Sequence, residues 1–190
     1  MLFALYGRVR GECTVAKPAK KWNGVPIGLI ADAGVPAGVI EKAVDYWAAC
    51  ETYGKGFPPF VTTPLDERST APRLEVTLVR YSQSERCATF HGRTITLYAF
   101  ARHRTGKPIL CGSLAQNLAH ELGHFLGLKH AAKAADCKLD IMSTVKQVNS
   151  RRRRVTEGEC RAVDSRWLAA DERPPEGPLG ERALARLEEP

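Results

Sequence analysis

No apolar run in this chain approaches the roughly 18 residues that a membrane-spanning helix needs, so no transmembrane segment is expected. The opening Met1 to Tyr6 is halted by Gly7 and Arg8 before it reaches signal-peptide length; for an exported protein, the signal or pro-segment is expected to have been removed already. None of the six cysteines forms a C-x-x-C pair, which disfavours a zinc ribbon or a thioredoxin-like motif. There is no internal repeat, which sets aside solenoids and propellers. Methionine occurs twice and histidine five times, so any clustering of these residues carries information. At 190 residues, with 44% hydrophobic and 26% charged, the chain is too apolar for a disordered protein and has room for one core.

The six cysteines (Cys13, Cys50, Cys87, Cys111, Cys137, Cys160) are even in number and widely spaced. They read as disulfides of an oxidising compartment, with several small buried thiols as the alternative. The net charge of +7 suits acidic partners but does not choose among them. Its densest cluster, Arg151-Arg152-Arg153-Arg154, reads first as a solvated basic loop, with substrate steering or a nucleic-acid contact as alternatives. No aromatics interleave with it to make a base-stacking platform.

Ala4 to Val9 and Val25 to Ala31 are short apolar runs with strand character. Pro36 opens a helix whose Ile40, Ala43, Val44 and Trp47 fall at i, i+3, i+4 and i+7, one stripe facing a sheet. Strands are expected at Phe60 to Thr63, Leu74 to Tyr81 and Thr94 to Phe100, the middle one with the clearest two-residue alternation. Ser113 and Gln116 make a capping-box pair for a helix running to about Gly127; Thr156 and Glu159 do the same for a last helix carrying Cys160, Val163 and Trp167 on one face. Residues 171–190, rich in Pro, Gly and charge, read as a loosely docked tail.

The segment His120-Glu121-Leu122-Gly123-His124-Phe125-Leu126-Gly127-Leu128-Lys129-His130 carries the chemistry. On a helix, His120 and His124 sit ~40° apart and ~6 Å along the axis, so both imidazoles reach one ion. Leu118, Leu122 and Phe125 lie roughly opposite and anchor the helix in the core. Gly127 can adopt the left-handed conformation that ends a helix and lets His130 approach the same ion. Three neutral imidazoles leave a fourth tetrahedral position for water, as a catalytic zinc site requires, and Glu121 is placed to accept that water's proton. Chance assembly of this pattern from the chain's composition is on the order of 10⁻⁵. His91 and His103 lack such spacing and read as ordinary surface or loop histidines.

At His120, Glu121, His124, Gly127 and His130 the sequence resembles the metzincin clan of zinc endopeptidases, and Asp140-Ile141-Met142-Ser143 looks like that clan's methionine turn. The resemblance implies an α+β, α/β/α-like domain: a twisted mixed sheet with a backing helix, the zinc helix, the turn around Met142 and a C-terminal helix. It spans about Val25 to Leu168 within a catalytic domain at residues 1–170, of which 1–24 read as an N-terminal extension. It further implies one catalytic zinc ion held by His120, His124 and His130, no structural calcium, and an extended peptide or protein substrate bound along a sheet edge. Thr94 to Phe100 is the candidate strand near that edge. Ser143, Thr144, Val145 and Arg151 to Arg154 would wall the primed-side pocket, and the arginines would favour acidic residues there.

Ala131 after the third histidine and Thr144 two beyond the methionine leave the subfamily open between matrixin-like and reprolysin-like domains; no tyrosine ligand is expected. Cys13 lies in no matrixin-type propeptide switch motif. By similarity to the reprolysin arrangement, Cys111 would bond Cys160, with Cys137 as competing partner. The function implied is a secreted or periplasmic, monomeric zinc endopeptidase with Glu121 as general base and no nucleic-acid or membrane partner. The alternatives are a secreted zinc-containing peptide-binding module without activity, against which Glu121 argues, and a basic nucleic-acid-binding protein resting only on charge.

Overall fold

The computed structural model describes Cys13, residues 27–48, Cys50, and residues 60–62, 72–131, 137, 139–144 and 153–167. The expected strand at Ala4 to Val9, the N-terminal extension apart from Cys13, and the tail at 171–190 lie outside these residues.

The period-two runs form strands where expected. β1 (Ile27–Ala31), β2 (Phe60–Val61) and β3 (Arg73–Tyr81) pair in parallel, with β1 between the other two. β3 pairs in parallel with β5 (Thr94–Arg102). Two short strands, β4 (Ala88–His91) and β6 (Pro108–Leu110), are additional to those expected from the sequence. Both run antiparallel along the outer side of β5, β4 opposite Thr94 to Leu97 and β6 opposite Phe100 to Arg102. The sheet is therefore mixed, in the order β2-β1-β3-β5-β4 with β6 attached to β5. Thr94 to Phe100 is one strand in from the edge, and β4 is outermost.

α1 (Val39–Ala48) begins three residues after Pro36, because Gly38, at φ 77°, breaks the backbone just ahead of it. Its stripe is buried at Ile40, Ala43 and Trp47, and Trp47 Nε1 donates to Ala119 O at 3.0 Å, joining α1 to α2 (Leu114–Phe125). Both helices enter one core with Leu29, Leu74, Val76, Ile95 and Leu97. Of the alternate residues of β3, Glu75, Val79 and Tyr81 are exposed, and Arg73 and Thr77 are half-buried. Among the described residues the fold is thus α+β, a mixed sheet whose buried side chains share one core with α1 and α2. α3 (Glu157–Trp167) buries Cys160 and Val163.

Three disulfides join Cys13–Cys137, Cys50–Cys160 and Cys87–Cys111, which corrects the expected Cys111–Cys160 bridge. The reason is topological. Cys87 O accepts from Tyr98 N while Cys111 N donates to Ala99 O, so these cysteines flank adjacent residues of β5 where β4 and β6 meet end to end. Cys160 faces instead the end of α1, where Cys50 lies. Cys13 is engaged with Cys137 and is no free thiol. Three disulfides fit an oxidising environment, and no helix among the described residues is long and apolar enough to cross a membrane.

Candidate active site

Ser113 caps α2, accepting a hydrogen bond from Gln116 N at 3.3 Å. The reciprocal half of the expected capping box is absent: the Gln116 amide donates to Arg153 O at 3.3 Å and holds that segment against the helix. At the other end Leu128 N bonds to Gly123 O and Gly127 N to His124 O, with Gly127 at φ 87°. This paired closure ends the helix as Gly127 foreshadowed and turns the chain so that His130 comes back to the helix.

The three histidines converge. Their ring centroids are 4.6 to 5.2 Å apart, and one potential ligand atom from each lies within 4.8 Å of the others. His120 Nδ1 donates to Ile141 O at 2.8 Å and His124 Nδ1 to Leu128 O at 2.9 Å. A carbonyl oxygen only accepts, so these bonds fix the tautomer and leave both Nε2 lone pairs for an ion. His124 Nε2 and His130 Nε2 stand 3.0 Å apart, near the edge of about 3.3 Å that tetrahedral coordination at 2.0–2.1 Å would require. Burial, above all, pushes His120 down to about 3 against the pull of its Ile141 hydrogen bond, with His124, His130 and Arg153 adding to the fall, so the ring is neutral at neutral pH. Three imidazoles so oriented can hold a metal ion.

Glu121 is 7% exposed, beside His120 on the helix. Burial pushes its carboxyl up to about 7, opposed by the positive charge of Arg86 just ahead of β4. Since the ordinary value is 4.5, the folded metal-free protein binds a proton here between about pH 4.5 and 7 that the unfolded chain has released, and this group's contribution to stability declines as pH rises through that window. Glu121→Gln does not titrate, so in metal-free protein it is expected to gain on the wild type by up to about 3 kcal/mol from pH 4.5 to 8. Urea midpoints at the two pH values check this; an unchanged gap contradicts it.

Leu118 and Leu122 are fully buried, and Phe125 is half-buried against Phe60 and Phe90, with ring centroids 6.1 and 5.9 Å away. Phe90 belongs to β4, so the outermost strand lies beside the histidine helix. Asp140 to Ser143 form a tight turn closed by Ser143 N to Asp140 O at 3.1 Å. Met142 is fully buried, and its carbonyl accepts from Ala131 N at 2.9 Å, anchoring the residue after His130 to the turn.

Gly123, to which the sequence reading gave no role, is where Met142 enters. A Cβ there would overlap Met142 Sδ and lie 3.0 Å from Trp47 Cζ2. Although Ala is the better helix former by about 1 kcal/mol, Gly123→Ala is therefore expected to destabilise by roughly 1–3 kcal/mol through overpacking. Denaturant unfolding decides; a stabilised variant would show that Met142 repacks freely.

Of the expected pocket residues, Ser143 is buried and Thr144 exposed, while Val145, Arg151 and Arg152 lie outside the described residues. Arg153 is half-buried, its guanidinium pushed below its ordinary range by burial and near enough to His120 to oppose that ring's protonation. Arg154 is exposed, its N–H bonded to Leu139 O at 2.9 Å, so residues 153–154 run beside the methionine turn. His91 is exposed at the end of β4, and His103 Nδ1 is 2.9 Å from Thr105 Oγ1; neither joins the cluster.

Glu159 is the residue the sequence showed only in part. It makes the expected cap, accepting from Thr156 N at 2.9 Å, and is also wholly buried, accepting from Met142 N at 2.8 Å and Ile141 N at 3.3 Å. Burial, with Asp140 adding, pushes its carboxyl up to about 7 against the pull of the Met142, Thr156 and Ile141 N–H groups. No family model matches the chain, and no curated protein matches its sequence.

Proposed function

We propose that this protein is a zinc endopeptidase of metzincin type, exported to an oxidising compartment and acting as a monomer. One observation carries the reading: His120, His124 and His130 converge on one point, with two rings oriented by backbone carbonyls and a buried glutamate adjacent. Three neutral nitrogen donors suit zinc among the ions imidazole binds. The order of sheet, helix α1, histidine helix, Met142 turn and α3 supports the metzincin likeness.

Bound there, zinc would supply Lewis acidity to a peptide carbonyl and make a water acidic enough to lose its proton near neutral pH. Glu121 would take that proton at its carboxylate and later deliver it to the departing amine nitrogen. His120 and His124 keep their Nε2 atoms aimed by donating from Nδ1. Along β4, the backbone groups facing away from β5 offer a template on which an extended peptide adds as a strand. Binding along a strand edge would suit cleavage inside a chain.

Arg153 would present positive charge on the primed side. Arg153→Ser with Arg154→Ser is expected to lower the preference for acidic residues there by about fivefold, on the order of 1 kcal/mol; an unaltered cleavage profile would remove the arginines from specificity. The reading as a whole is tested by digesting a diverse peptide mixture and sequencing the products by mass spectrometry. Internal cuts that a chelator abolishes are expected. Intact peptides from a zinc-loaded protein would instead favour the peptide-binding module.

A further inference from the structure

The peptide group between Ile141 and Met142 is engaged on both sides. Its C=O accepts from His120 Nδ1 at 2.8 Å, and its N–H, which is Met142 N, donates to Glu159 Oε1 at 2.8 Å. The carboxylate also accepts from Ile141 N at 3.3 Å, Thr156 N at 2.9 Å and Thr156 Oγ1 at 3.2 Å. Three backbone N–H groups, which only donate, and the Thr156 hydroxyl meet two oxygens, and a set so rich in obligate donors suits the anion. Glu159 is fully buried, so this charge acts on its neighbours through a poorly screening interior.

We propose that Glu159 is a positioning residue of the metal site, acting on His120 through the single peptide group it shares with that histidine. An anion on the N–H side polarises the peptide and makes its carbonyl oxygen a stronger acceptor. A stronger acceptor draws the Nδ1 proton of His120 and raises the basicity of Nε2, the atom that faces the ion. The arrangement resembles in effect a carboxylate–histidine–metal triad, with one peptide inserted between carboxylate and ring. The framework holds it rigid: Cys160, next to Glu159, is bonded to Cys50 at the end of α1, and Trp47 of α1 is bonded to Ala119 beside His120. The carboxylate, the turn and the metal-binding ring are thereby referred to one another by covalent and hydrogen bonds.

The inference rests on the zinc-binding part of the proposed function and not on peptide cleavage. Its test is zinc affinity, measured on metal-free protein at pH 8 by competition with a chromophoric chelator, for the wild type, Glu159→Gln and Thr156→Val. Thr156→Val removes the hydroxyl that caps α3 but leaves the Met142–Glu159 bond, so it reports a loss of stability without a loss of the relay. Glu159→Gln is expected to bind zinc about tenfold more weakly, the lower end of the effect of losing a residue that supports a ligand. It should also shift the visible absorption of the cobalt-substituted protein, while Thr156→Val changes affinity less than twofold. Equal affinity in Glu159→Gln, or parallel losses in both variants, would overturn the proposal.

Should Glu159→Gln not fold, the wild type alone decides by amide proton NMR, because coupling is reciprocal. Adding zinc should move the Met142 amide proton downfield by more than that of Thr156, which donates to the same carboxylate outside the relay. No shift at Met142 would overturn the proposal. A wild type that binds zinc and cuts no peptide would remove the peptidase reading and leave this one standing; one that binds no zinc would remove both.

Discussion

Glu121→Gln is expected to retain one zinc ion per chain and to lose peptide cleavage by about 10²–10⁴-fold, the range that a positioned proton acceptor contributes. The substitution keeps the size of the side chain and leaves all three histidines untouched, so binding and chemistry separate. Glu121 is buried on α2 next to His120, and the amide fills the same space without taking a proton. Steady-state cleavage of one peptide, with zinc content measured on the same sample, reads both quantities. A variant that cuts at the wild-type rate would show that another group moves the proton.

The second large effect concerns stability. Removing the Cys50–Cys160 bridge by paired alanine substitution releases a closed loop with a sequence separation of 110, for which chain entropy gives about 5 kcal/mol. Cys87–Cys111, with a separation of 24, gives about 3.5 kcal/mol on the same basis. Either is a large share of the 5–15 kcal/mol of a typical domain. The longer bridge also joins α3 to α1 next to Glu159, so its loss is expected to weaken zinc binding, whereas loss of Cys87–Cys111 should disturb β4 and β6 and spare the metal. Urea midpoints of the two double variants give the order. A greater loss from the shorter bridge would mean that strain or residual unfolded structure outweighs loop entropy here.

The histidine helix was legible because its information is local: i and i+4 spacing on a helix puts two imidazoles on one face, and Gly127 supplies the turn that returns the third. The strands with clear alternation, Leu74 to Tyr81 above all, were legible for the same reason. β4 and β6 were not. Each has only three or four residues, one begins with Pro108, and neither carries a pattern of its own; they exist because β5 offers its outer edge. The disulfides were misread because connectivity follows that same non-local pairing. Gly123 and Glu159 show a different limit. A glycine inside a helix reads as a weak helix former until Met142 and Trp47 are seen against it, and the Thr156–Glu159 cap gave a complete local account of a residue whose larger role is at the turn.

Three histidines and one glutamate are proposed to make a single zinc-dependent hydrolytic site. Its most direct test is a titration of metal-free protein with zinc, following bound metal and peptide cleavage together. Cleavage is expected to rise with the first equivalent of zinc, to level off there, and to stay absent when His124 is replaced by Ala. Cleavage that proceeds without zinc, or one bound equivalent with no cleavage of any peptide, would contradict it.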